Sequence, residues 1–229
     1  HLKEFADSIS KRMNLVVDII SNLSNRGCAV NVITAVNYAL GKNRHCAVLE
    51  DDCIPSKSFF DFYIKAIPIL DSNQNVWLGC GTQFAPNSLT QAKSCLSSYA
   101  LTWGWFTTRE KWNEFSRYLR GEKICNDFKI SFIERRYWKS GRRRALNGIT
   151  DVWDTILVAS MLAKGKKAIL PPENLVSNIG NDQFATHTKE SSTWINRPIA
   201  LHEGEIELTE DSSSVDEWIR KNVYGIKFR

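Results

Sequence analysis

The chain has 229 residues, 43% of them hydrophobic and including eight Trp, eleven Phe and six Tyr, which supplies one sizeable core and excludes an aromatic-poor disordered polymer. Its longest uncharged apolar stretch with helical spacing, Thr155 to Ala163, falls far short of the roughly 20 residues that a helix needs to cross a bilayer. The formal charge of +5 is local, because Arg135, Arg136, Lys139, Arg142, Arg143 and Arg144 stand against the single acid Glu134 in that stretch.

The first residues, His1-Leu2-Lys3-Glu4, are charged early and lead into no apolar run of the kind that marks a secretory signal. Met13 to Ile20 is apolar on both parities apart from Asp18, which predicts a strand covered on both faces. After the loop Asn25-Arg26-Gly27, the residues Val32, Ile33, Val36, Ala39 and Leu40 recur at three- and four-residue spacing and predict a helix over Ala29 to Leu40 ahead of Gly41. Cys46 to Leu49 is a short apolar strand that stops at Glu50-Asp51-Asp52.

Further along, the pattern predicts a helix over Lys57 to Leu70, a strand over Val76 to Cys80, an aromatic strand or loop from Tyr99, and a helix over Arg109 to Leu119. Residues 121 to 149 read as a weakly periodic basic insertion. A helix from Asp154 to Ala163 ends at Gly165, and a strand over Ala168 to Leu170 is stopped by Pro171-Pro172. The remainder is loop-rich up to a helix at Glu217 to Val223. Strands alternating with helices predict an α/β domain over residues 1–203, with a mostly parallel sheet, helices on both faces and ligands bound at the carboxyl ends of the strands. Residues 204–229 read as a linker and a terminal helix. The six cysteines have no C-x-x-C spacing and several lie in apolar runs, so they read as free thiols in a reducing compartment and not as a zinc knuckle.

Five groups of residues are candidates for chemistry. Three adjacent carboxylates at the end of a buried strand repel one another and call for a cation. Glu50 and Asp52 point to one side of an extended backbone, so their oxygens suit a hard divalent ion; a solvated acidic turn ahead of the next helix is the alternative. Thr150-Asp151-Val152-Trp153-Asp154 puts two acids at a helix start, where they serve as a cap and a dipole partner or, for Asp154, as a general base. His187 is one of four histidines and suits a metal ligand or a surface residue. Trp103-Gly104-Trp105 suits core aromatics around a close backbone approach, or the wall of a binding site. The basic run suits an anion site, notably at Arg142, Arg143 and Arg144, or a solvated loop; it lacks the interleaved aromatics of a nucleic-acid stacking platform.

The order of these motifs resembles that of GT-A-fold nucleotide-sugar glycosyltransferases, specifically the family 2-like bacterial group. Asn25-x-Gly27 ahead of a helix is similar to that family's Asn-x-Gly loop, and Ala-Val-Leu-Glu-Asp-Asp-Cys-Ile-Pro-Ser at 47–56 to its metal-binding acidic motif. Leu101 to Arg109 is similar to the glycine-containing loop beside the donor sugar, with Trp103, Gly104 and Trp105 around donor and acceptor. Trp153-Asp154 falls where the family carries its catalytic base. Asn174 to Gly180 followed by Ala185-Thr-His-Thr188 is similar to its C-terminal segment, whose His completes the metal shell. The acidic motif reads Glu-Asp-Asp where many relatives have Asp-x-Asp, which leaves Glu50 and Asp51 as alternative partners of Asp52.

The resemblance covers residues 13 to 190 and implies a metal-dependent inverting glycosyltransferase that uses Mn2+ or Mg2+. The implied donor is a nucleoside-diphosphate sugar, a UDP-sugar above all. The acceptor is a hydroxyl of a glycan or lipid-linked molecule in bacterial surface-polysaccharide synthesis, with no nucleic-acid partner. The implied location is cytoplasmic, with peripheral contact at the inner face of the membrane. Family members begin with a strand, a helix and a second strand, so the chain is expected to be a catalytic core without that first portion. A non-catalytic sugar- or nucleotide-binding module is the other reading. A nucleotidyltransferase would need a Gly-rich phosphate loop with its lysine near the start, and that combination is not present here.

Overall fold

The computed structural model describes residues 2–124, 130–180, 194–201, 204–209 and 211–227. Helices α1 (Leu2–Met13) and α2 (Cys28–Lys42) lead to strands β1 (His45–Val48) and β2 (Cys53–Pro55). Helix α3 (Lys57–Ser72), strand β3 (Val76–Cys80), the single turn α4 (Asn87–Thr90) and strands β4 (Cys95–Ser97) and β5 (Trp105–Thr108) follow. Then come α5 (Arg109–Leu119), α6 (Phe132–Leu146), α7 (Asp154–Lys164), β6 (Lys167–Leu170), β7 (Val176–Asn178) and α8 (Ser213–Asn222). The hydrophobic periods at 3.6 residues in α2, α3 and α5 therefore give helices, the longer apolar run ended by Gly165 gives α7, and the short apolar runs give strands.

The fold is α/β, with helices packed on both faces of a five-stranded sheet in the order β1-β5-β3-β6-β4. Side-chain alternation along the strands sorts the core into two layers. Val76, Phe106 and Ile169 meet Phe59, Phe62, Ala66 and Leu70 of α3. On the other face Trp77, Trp105, Ala168 and Leu170 meet Val36 and Leu40 of α2, Trp112 and Phe115 of α5, and the apolar face of α7. Helix α8 enters this second layer through Val215 and Ile219, and its Asp216 accepts hydrogen bonds from Ser97 Oγ at 2.6 Å and Ser98 N at 3.1 Å. No helix among the described residues is long and apolar enough to cross a membrane.

The sheet is mixed and not mostly parallel. Only β3 and β6 are parallel neighbours, whereas β1–β5, β5–β3 and β6–β4 are antiparallel. These pairings make β1, β3 and β6 run in one direction, as strand–helix–strand alternation requires. The difference comes from β5, which follows an excursion over residues 81–104 that holds only the single turn α4 and the edge strand β4, returns in the opposite sense and inserts between β1 and β3. Chain order gives strand direction here; the interleaving is decided by which strand fills the gap.

Two further expectations are corrected. Met13 closes α1 and residues 15–20 form no strand; Val16 is 94% exposed. A strand that is apolar on both faces needs a hydrogen-bonding neighbour and two covering layers, and no described segment supplies them. Residues 132–146, expected to be irregular, form α6, whose Ser131 hydroxyl caps the N-terminus by accepting from Glu134 N at 3.2 Å. The helix escapes the hydrophobic-period test because the two residues that it buries are Glu134 and Trp138.

Glu134 is 3% exposed and accepts from Tyr99 Oη and from Trp138 Nε1. Its carboxylate pushes the Tyr99 phenol well above its ordinary range, after burial itself. Replacing Glu134 with Leu leaves two buried donors unpaired, a loss of about 2–4 kcal/mol. Thermal unfolding of Glu134→Leu is expected to show a midpoint lower by roughly 5–12 °C for a chain of this size, with Glu134→Gln intermediate.

Candidate acidic site at the carboxyl edge of the sheet

Val48 and Cys80, the last residues of β1 and β3, both lie opposite Trp105, and Gly79 lies beside Ile169 of β6. The carboxyl ends of the three like-directed strands therefore share one edge. Trp153, just ahead of α7, brings the start of that helix to the same edge by packing on Trp105 with ring centroids 4.9 Å apart.

Glu50, Asp51 and Asp52 follow β1 directly. Cys53 N donates to the Glu50 carbonyl at 3.0 Å and folds this acidic turn, and Ile179 N donates to the Asp52 carbonyl at 2.8 Å. Antiparallel pairing of β2 with β7, in the register Cys53–Asn178, holds the far side. Gly180 passes so close to the Asp52 carboxylate that a Cβ there would overlap it, which makes this glycine a steric requirement of the site.

A third segment arrives through α2. Asn25 Oδ1 accepts from Gly27 N at 2.8 Å, and Gly27 takes a left-handed φ of 81°. Gly27 gives α2 no side-chain cap. The cap comes instead from Asp151, whose Oδ2 accepts from Cys28 N at 2.6 Å and whose Oδ1 accepts from Ala29 N at 3.0 Å. A Cβ on Gly27 would run into that carboxylate. Asp151, one of the acids expected at the start of the 154–163 helix, thus neutralises part of its charge on the amide groups and dipole of a helix 123 positions away. Asp154 remains at its own helix start, where its Oδ1 accepts from Thr155 N at 2.7 Å.

The charges of these segments act on one another. Burial, then Asp52, Asp154 and Asp51, push the Glu50 carboxyl from its ordinary 4.5 up to about 7. Cys28, at the first turn of α2, is pushed up to about 11 by burial and then by Glu50, Asp151, Asp154 and Asp52. Cys53 is pushed up to about 12, burial again the largest cause. Both thiols stay protonated at neutral pH and are poor nucleophiles. Asp154, far away in the sequence, thus bears on the Glu50 carboxyl together with its neighbours Asp51 and Asp52.

Asp154 also lines a cavity of about 150 Å³ with Phe84, Trp103, Trp194 and Tyr224. Trp103 presents its ring there and meets Phe84 edge-on, centroids 5.3 Å apart. Gly104, with a φ of 69°, leaves room for Val176 and accepts from Gly81 N at 2.6 Å. Trp105 and Trp153, 2% and 3% exposed, support the site from within the core. Asn25 is bonded within the Gly27 loop. Arg142 donates to the Glu122 carbonyl at 2.6 Å and, with Arg143, lines a cavity of about 270 Å³, while Arg144 lies across a different cavity from Asp151.

His187 lies outside the described residues. Among the described residues no group of three His, Cys, Asp or Glu side chains is arranged to hold a metal ion. The donor set itself, carboxylate oxygens of Glu50, Asp51 and Asp52 in one turn, is of the hard oxygen type that Mg2+ or Mn2+ takes; burial first and then Asp52, Asp154 and Asp51 raise Glu50. Sequence reasoning missed Asp151 as the cap of α2, together with Cys28, Gly180 and Tyr224. Asp151 carried a signal, an acid ahead of a helix, and the sequence points that signal at the nearer helix.

Because the folded-state pKa of Glu50 lies above its ordinary value, the folded protein holds this proton more tightly than the unfolded chain does. The penalty on folding is absent below about pH 4.5, grows as pH rises toward 7 and is complete above it. Glu50→Gln is expected to raise the thermal midpoint by a few degrees at pH 8 and leave it unchanged at pH 4, read from unfolding scans across that range. Gly27→Ala is expected to cost about 1–3 kcal/mol in denaturant unfolding, because it strains the left-handed backbone and displaces the Asp151 cap. No protein-family model and no curated protein matches the sequence.

Proposed function

We propose that the chain is the catalytic part of a metal-dependent inverting glycosyltransferase with a GT-A-type core, transferring a sugar from a nucleoside diphosphate to an acceptor hydroxyl. The observation that carries this reading is that Asp52 and Asp154, from distant segments, both act on the half-buried Glu50 carboxyl at the carboxyl edge of the sheet and, after burial itself, raise it. Three like-directed strands with their carboxyl ends at the acids, and the two-stranded ribbon behind Asp52, support it as well. The resemblance to family 2-like bacterial enzymes supplies the donor class, a UDP-sugar above all, and the lipid-linked or glycan acceptor.

Asp52, with Glu50 or Asp51, would hold Mn2+ or Mg2+, and His187 would complete the set. When bound, such an ion offers the departing diphosphate a Lewis acid. Asp154 takes the proton of the acceptor hydroxyl as its oxygen forms a bond to the anomeric carbon and the bond to the diphosphate oxygen breaks, a single displacement that inverts the centre. Trp103 and Phe84 offer aromatic faces to the apolar side of a sugar ring and keep water from the Asp154 cavity.

A second reading, a sugar-nucleotide-binding module without transfer, draws on the lack of a closed three-donor metal set among the described residues. Calorimetric titration with UDP in the presence and absence of Mn2+, beside a transfer assay, separates the two. Asp52→Ala is expected to abolish metal-dependent UDP binding. Asp154→Asn is expected to leave binding within about twofold and to lower transfer by about 10²–10⁴-fold, the usual worth of a general base. Equal loss of UDP binding in both variants would refute this division of roles.

A further inference from the structure

Helix α6 and the loop at 149–155 enclose a cavity of about 820 Å³ that the acidic site does not use. We infer that it is the acceptor subsite and takes a phosphate-bearing amphiphile, its anionic group on Arg136 and Arg144 and its apolar part along Ile133, Tyr137 and Ile149; this rests on the transferase reading above.

Four observations converge. Arg136 and Arg144 both line the cavity and are exposed, and among the described residues neither is held in an ion pair. Guanidinium groups so placed bind phosphate oxygens through paired charge-assisted hydrogen bonds. The one carboxylate in the lining, Asp151, is already bonded to Cys28 N and Ala29 N, so its repulsion of an anion is reduced.

The apolar part of the lining is the second observation. Ile133, Tyr137 and Ile149 remain exposed beside the two cations. A small inorganic anion gains nothing from them, whereas an alkyl chain removes them from water. The third is position. Thr155 lines the cavity and donates its N–H to Asp154, while Tyr137, also in the lining, has its phenol pushed up by burial and then by the Asp154 charge. The cavity thus adjoins the proposed base. The fourth is Gly141, where a Cβ would meet Thr155 Cγ2 at 2.7 Å, so the glycine lets α6 lie close to the start of α7 at the cavity wall.

The test is equilibrium binding to the full chain of three probes below any micelle-forming concentration: dodecyl phosphate, inorganic phosphate and a neutral dodecyl glycoside. Dodecyl phosphate is expected to saturate one site per chain, about tenfold or more tighter than either of the others, and to weaken with added salt. The double variant Arg136→Ala with Arg144→Ala is expected to weaken it about tenfold, with the thermal midpoint unchanged. Ile133→Ser with Ile149→Ser should reduce dodecyl phosphate binding and leave inorganic phosphate binding as it was. Equal affinity for inorganic phosphate would assign the site to a soluble anion and overturn the amphiphile; equal affinity for the neutral glycoside, or insensitivity to the arginine pair, would overturn the phosphate contact. UDP titration with Mn2+ on the same samples keeps the two readings apart. Lost amphiphile binding with UDP binding retained sinks the subsite alone, and the converse sinks the transferase reading alone.

Discussion

Repulsion among carboxylates crowded onto one edge of the sheet is the constraint around which the rest of the structure is arranged. Glu50, Asp51 and Asp52 stand in the turn after β1, and the charge of Asp154, at the start of α7, acts on Glu50 as well. The folded chain accepts the cost, visible in the raised pKa of Glu50, because the elements carrying the acids are fixed by packing that has nothing to do with charge. Trp105 lies between Trp112 and Trp153, and this aromatic stack sets where α7 begins. Asp151 shows the compensation the fold does provide: its charge is spread over two amide groups at the N-terminus of α2.

The cationic residues sit elsewhere, on α6, and their placement is also a packing result. Burial of Glu134 and Trp138 against Tyr99 and Tyr224 orients the helix so that Arg136, Lys139, Arg143 and Arg144 face outward. Acids and bases are thereby held on two sides of one region. For the proposed reaction this separation has a use. Unpaired arginines attract an anionic substrate over roughly a Debye length, whereas the carboxylates act only at contact distance on a cation or a hydroxyl proton.

Much of the architecture was legible because it is periodic. Helices α2, α3 and α5 bury one face and show it in their spacing, α7 is a continuous apolar run between an acid and Gly165, and β1 and β3 are short apolar runs with abrupt polar stops. The exceptions have separate physical causes. Residues 13–20 have strand composition, but composition cannot supply the neighbouring strand that would use it. Helix α6 was hidden because its inward side holds a carboxylate satisfied by Tyr99 and Trp138, and burial of a polar group is invisible to a hydrophobic pattern. The interposition of β5 between β1 and β3 depends on the path of residues 81–104, which carry little periodicity of either kind.

The sequence by itself determined the α/β class, the acidic turn after β1, and an acid at the start of α7, because each is a local property of spacing and residue type. Tertiary structure alone decided that the Asp154 charge bears on Glu50, that Asp151 caps the distant helix α2, and that the sheet is mixed. Those outcomes depend on contacts between segments distant in the chain, 123 positions apart for Asp151 and Cys28. Such contacts are chosen by the packing of the whole core, in particular the Trp105–Trp153 contact, and leave no mark in the spacing of either partner.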